Sequence, residues 1–67
     1  MDPDAVLTRM RNANNHPADR FEAGCDLVDW IRMGGRIPAE LAPAHRPSAA
    51  LARIRDELVA LAEQVTR

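Results

Sequence analysis

Apolar side chains recur along this chain at intervals of three and four residues in three separate segments, divided by clusters of Asn, Gly and Pro. In the first segment Val6, Met10 and Ala13 follow the i, i+4, i+7 spacing of one helix face, with Leu7 widening the stripe. Asp2 stands where an N-cap is wanted, Pro3 suits the first helical position, and Asp4 places negative charge in the first turn. This predicts a helix over 3–14, closed by Asn14-Asn15-His16-Pro17, because a residue before proline is pushed out of helical geometry.

The second segment predicts a helix over 17–33. At 3.6 residues per turn, Phe21, Gly24, Cys25, Val28 and Ile31 gather on one side, extended by Leu27. Asp19, Glu22, Asp26 and Asp29 form a continuous acidic stripe on the other, and Trp30 falls on the border beside Ala23 and Leu27. Gly34 is placed to end the helix with positive φ, and Gly35 adds freedom for a sharp reversal.

Residues 36–47 contain Pro38, Pro43 and Pro47, too many for a full helix, so they read as a connector with one helical turn over 38–41. Ile37 and Leu41 are expected to tuck under the Trp30 end of the second helix as a small satellite core. A third helix is expected over 48–65. There Leu51, Ile54, Leu58, Leu61 and Val65 alternate three and four apart as in a coiled-coil seam, and Arg53 and Glu57 form an i, i+4 pair on the outer face.

The fold class is therefore all-α. The expected architecture is one domain over 1–67: two antiparallel helices, a proline-rich connector and a longer third helix packed across them. Composition changes this picture in one respect. A chain of 67 residues buries only about 60% of its unfolded surface, so its stability is marginal without a staple. Cys25 is the one cysteine, so no internal disulfide can form, and self-association or a partner becomes the favoured source of further burial. A hydrophobic fraction of 46% indicates a folded chain, and no run approaches the roughly 18 apolar residues of a membrane span. The acidic opening Met1-Asp2-Pro3-Asp4 is unlike a secretory signal, and with the lone cysteine it suggests a cytoplasmic protein.

The net charge of −1 gives no overall attraction to nucleic acid, yet charge is unevenly placed: residues 1–31 sum to −3, 32–55 to +4 and 56–67 to −2. All nine basic residues are arginine.

Little here suggests catalysis. Structural metal sites show paired ligands at short spacing, and His16, His45 and Cys25 do not, so no metal and no cofactor are expected. Cys25 has Glu22 and Asp26 as helical neighbours, the wrong environment for a thiolate nucleophile. Gly34-Gly35 follows a helix, whereas phosphate-cradling loops precede one. Trp30, by contrast, is the kind of side chain that anchors interfaces.

The stretch Leu27, Trp30, Ile31, Gly34, Gly35, Ile37 and Pro38 resembles a helix-end pattern, L-x-x-W-[LI]-x-x-G-G-x-[LI]-P, of small uncharacterised proteins from actinobacteria and their phages. The similarity covers about residues 18–40; those proteins often carry a second Trp after the proline, where this chain has Leu41 or Ala42. The resemblance implies a host or phage accessory protein and supplies no catalytic residues.

Together these features point to a non-catalytic protein–protein interaction or regulatory module. Its partner would be an unidentified protein or a second copy held through the third helix, with Trp30, Leu51, Ile54, Leu58, Leu61 and Val65 as contact residues and no role at a membrane. The acidic face Asp19, Glu22, Asp26 and Asp29 could add a salt-sensitive contact with a basic surface. The alternative is a helix-turn-helix-like nucleic-acid-binding regulator using Arg32, Arg36, Arg46, Arg53 and Arg55 with His45.

Overall fold

The computed structural model describes residues 1–42 and 46–66, and shows a small all-α bundle of three helices: α1 (Pro3–Arg11), α2 (Pro17–Arg32) and α3 (Pro47–Val65). His45 and Pro43 of the connector lie outside the described residues.

Helix α1 starts as its sequence dictates. Asp2 Oδ1 accepts from the backbone N–H of Asp4 (3.1 Å) and Ala5 (3.4 Å), satisfying two donors that have no partner within the helix. The helix ends at Arg11, three residues before the expected boundary. Asn12 turns to extended geometry and its Oδ1 takes the N–H of Asn14 (3.0 Å), a local bond that competes with the helical one. The carbonyls left over are met by side chains: Asn15 Nδ2 donates to Arg9 O (3.3 Å) and Arg20 Nε to Met10 O (2.7 Å). Ala13 is therefore exposed and outside the helix, and α1 buries Pro3, Leu7 and Met10, with Val6 half-buried.

Helix α2 is capped by His16, whose Nδ1 accepts from Ala18 N–H (3.0 Å). At the other end Met33 is the C-cap and Gly34 takes φ +90°. Gly34 N–H donates to Ile31 O (3.0 Å) and Gly35 N–H to Trp30 O (2.9 Å), the paired bonds of a Schellman motif. The buried face is Ala23, Gly24, Leu27, Val28 and Ile31, while Phe21 and Cys25 are half-buried. The core face is thus rotated toward Ala23 relative to the expected stripe.

That rotation follows from the position of α2, which lies between the other two helices. Met10 of α1 and Leu58 of α3 both close on Gly24, where a Cβ would collide with the Leu58 side chain and lie 2.8 Å from Met10 Sδ. Phe21 meets Ala62 and Val65 farther along α3, so α1 and α3 each run antiparallel to α2. Among the described residues the backbones of α1 and α3 do not approach each other. The third helix accordingly lies along α2 and does not cross both partners, giving a body of 34 × 19 × 19 Å.

The connector makes the expected turn, with Leu41 N–H (2.9 Å) and Ala42 N–H (3.0 Å) donating to Pro38 O. It forms no satellite. Leu41 and Pro38 are buried and Ile37 half-buried, and Leu41 and Ile37 pack with the helices into one core. Asp4 holds it there: Oδ1 accepts from Ala39 N–H (2.7 Å) and Oδ2 from Arg36 Nη1 (3.1 Å). Met10, Leu27 and Ile54 are the largest apolar helix side chains that are fully enclosed, each contributing about 1.5–3 kcal/mol by burial.

Candidate interaction surface

The residues expected to face a partner divide sharply. Of the α3 seam, Ile54 and Leu61 are buried in the chain's own core, Leu51 and Leu58 are half-buried against it, and Val65 alone of the five is exposed, at 44%. An open five-residue seam is not what α3 presents, because α2 already covers it. Trp30 is half-buried and packs against the core, and its indole lies on the Gly35 backbone. Its Nε1 donates to Arg36 O (3.0 Å), so this side chain closes the turn into the connector rather than standing open as an anchor.

The basic residues do not gather into one face. Arg36 is held by Asp4 (3.1 Å), with Asp2 at 3.9 Å. Arg32, Arg46, Arg53 and Arg55 are exposed, but Arg53 and Arg55 leave α3 about 200° apart. Glu57, the expected partner of Arg53, is taken instead by Arg11 of α1, with Nε to Oε1 at 2.8 Å and Nη2 to Oε2 at 3.0 Å. Arg11 Nη1 also reaches Glu40 (2.6 Å). Glu57, foremost by its hydrogen bonds, raises the Arg11 guanidinium above its ordinary pKa.

The acidic face of α2 is open. Asp19, Glu22, Asp26 and Asp29 are all exposed and, among the described residues, none is in an ion pair, whereas Asp2, Asp4, Glu40 and Glu57 all are. Helical spacing confines the four to an arc of about 80° and a length of about 15 Å.

Beside this stripe lies a feature the periodicity did not reveal. Phe21 of α2 and Ala62, Val65 and Thr66 of α3 line a shallow depression with an apolar surface. Val59, one turn from Ala62, is 61% exposed. Val59 breaks the three-four seam, and that misfit was the available signal: a β-branched apolar residue on the polar side of an amphipathic helix. Cys25, one turn from Phe21, is half-buried. Burial first, then the charges of Asp26, Asp29 and Glu22, push its thiol pKa up, so it remains a protonated thiol at neutral pH.

The surface between α2 and α3 therefore has an apolar floor at one end, lined by Phe21, Ala62, Val65 and Thr66, with Val59 exposed one turn from Ala62 on α3. Helical spacing places Arg32 and Arg55 on the cleft side of their helices, Glu22, Asp29 and Glu63 about a quarter turn from it, and Asp26 and Asp56 farther round; all are exposed. Such a surface can bind an apolar shape. Among the described residues no group of three or more His, Cys, Asp or Glu side chains is arranged to hold a metal ion, and no helix is long and apolar enough to cross a membrane. Compared with protein-family models, curated proteins and solved structures, the chain matches none.

Proposed function

We propose that this chain is a non-catalytic protein-interaction module whose working surface is the apolar floor lined by Phe21, Ala62, Val65 and Thr66, with Val59 exposed beside it. The observation that carries the reading is the exposure of Val59 (61%) and Val65 (44%) together on the C-terminal half of α3 beside a half-buried Phe21, whereas Met33 (79%), at the C-cap of α2, stands apart from other exposed large apolar side chains. Apolar surface left open next to a charged rim is what a partner removes from water. The simplest occupant is a second copy, joined through the C-terminal half of α3 and not through the whole seam. The helix-end pattern supports placing the module among the accessory proteins of actinobacteria and their phages, and the lone Cys25 suits a reducing cytoplasm.

Analytical ultracentrifugation tests the self-association. The expected result is a monomer–dimer equilibrium that strengthens with added salt, since both copies bring carboxylates to the contact, and that Val65→Asp abolishes while helical circular dichroism is unchanged. A chain that stays monomeric at every concentration and salt overturns the dimer. The nucleic-acid reading ranks behind this one because Arg36 is engaged by Asp4 and Arg53 and Arg55 diverge.

A further inference from the structure

We infer that a second cleft, where the end of α1 meets α2 and α3, binds a small aliphatic monocarboxylate, with Arg20 as the residue that holds its charge. The inference goes beyond the protein-binding reading and does not depend on it, since this cleft shares no lining residue with the floor at Phe21.

The cleft has a volume of about 130 Å³ and is lined by Met10, Arg20, Glu57, Ala60, Leu61 and Gln64. A cavity of about 150 Å³ holds a benzene ring, so this one has room for about six or seven heavy atoms. Its back is apolar, formed by the buried Met10 and Leu61, and Ala60 and Gln64 stand at the exposed edge. Its three polar side chains occupy positions that helical spacing assigns to the core. Arg20 precedes the buried Ala23, Gly24 and Leu27 by three, four and seven residues. Glu57 lies between the buried Ile54 and Leu61, and Gln64 follows Leu61 by three.

These polar groups are not equally engaged. Both oxygens of Glu57 accept from Arg11, so its charge is already met. Arg20 gives Nε to Met10 O (2.7 Å) and, among the described residues, its Nη1 and Nη2 have no hydrogen-bond or ion-pair partner. That bond anchors the guanidinium and leaves its Nη1–Nη2 edge, a fork that matches the two oxygens of a carboxylate. The end of α1 opposes an anion little, because Asn15 and Arg20 already bond Arg9 O and Met10 O. A carboxylate on the fork with a short alkyl chain on Met10, Ala60 and Leu61 satisfies both halves of the cleft. Phosphate would use only the first half, and an uncharged amide mainly the second.

The test titrates the full chain with sodium pentanoate at constant ionic strength and follows amide and arginine side-chain chemical shifts. Pentanamide, inorganic phosphate and acetyl-leucine are run beside it, the last carrying the same charged group at the end of a peptide-like body. The expected result is saturable binding of pentanoate with a Kd of about 1 mM, at least about tenfold tighter than any of the three, with shifts centred on Arg20, Ala60 and Leu61. Arg20→Gln keeps an N–H at the Nε position for Met10 O but removes the fork. Ala60→Met fills the apolar side and leaves Arg20 in place. Each should weaken pentanoate binding at least about tenfold with helical circular dichroism unchanged. Phosphate bound as tightly would reduce the site to bare charge attraction, and pentanamide bound as tightly to an apolar recess. Acetyl-leucine bound as tightly or tighter would assign it to a chain terminus. Each of these overturns the inference, as does full binding by either folded variant or no saturation by about 50 mM pentanoate.

Discussion

Arg11 and Glu57, 46 positions apart in sequence, meet in a two-pronged ion pair at 2.8 and 3.0 Å, tying α1 to α3 across the flank of α2. The backbones of those two helices stay apart, so this pair and its extension to Glu40 add a polar link beside the side-chain core that they share. Both side chains are 32% exposed, so water weakens the attraction without abolishing it. A double-mutant cycle of Arg11→Met with Glu57→Gln is expected to give a coupling of about 1 kcal/mol, and the same cycle with Arg53→Ala in place of Arg11→Met a value near zero. Thermal melts of the four variants in each cycle read this directly.

Gly34 and Gly35 are expected to fail in different ways. At Gly34 the backbone has φ +90° with open space around it, so alanine brings strain of about 1–2 kcal/mol and leaves the indole in place. At Gly35 a Cβ would intrude into the Trp30 ring, so Gly35→Ala must lift the indole and break its bond to Arg36 O. Tryptophan emission should therefore move to longer wavelength in Gly35→Ala and hold its position in folded Gly34→Ala. The same shift in both would mean the indole does not lie on Gly35.

Gly24 sits in the middle of α2, where alanine would ordinarily favour the helix by about 1 kcal/mol. Here Gly24→Ala drives a methyl group into Leu58 and toward Met10 Sδ, an overpacking expected to cost about 1–3 kcal/mol. Shortening the obstructing side chain should reverse the sign of the effect: in a Leu58→Ala background the added methyl is expected to be neutral or stabilising. Denaturant midpoints of the four proteins test this.

Acid should loosen the connector through Asp4. The N–H of Ala39 first, and the Arg36 guanidinium second, lower its carboxyl from the ordinary value of 3.8. A folded-state pKa below the unfolded one means the stabilisation is complete above that ordinary value and is lost as pH falls through the lowered one. Asp4→Asn should flatten this part of the acid limb of a stability–pH curve. An unchanged acid limb would show that Asp4 does not hold Arg36 and Ala39 in solution.

His16 caps α2 with one ring nitrogen, a role that Asp or Ser fills better. His16→Asp is expected to raise stability by up to about 1 kcal/mol, equivalent to about 4–8 °C in melting temperature for a domain this small.

Local chemistry alone settled much of the architecture. The caps at Asp2 and Gly34, the prolines after α2 and the spacing of Leu7, Met10, Leu27, Ile31, Ile54 and Leu61 prescribe three helices and the side each must bury, since those preferences act within a few residues. The solvent-facing position of Asp19, Glu22, Asp26 and Asp29 was legible for the same reason. What periodicity lacks is any account of which faces meet. It assigned Glu57 to Arg53, left Leu51 to Val65 as an open seam, allowed Trp30 to be an anchor and carried α1 to residue 14. The placement of α2 between α1 and α3 decided the first two: it covered most of the seam, brought Arg11 to Glu57 and left Val59 and Val65 beyond the covered area. The Trp30 contact with Gly35 and Arg36 and the Asn12–Asn14 bond at the end of α1 are instead local chemistry that helical periodicity does not encode. A helix face is a property of one segment, but its burial depends on where the other two segments lie.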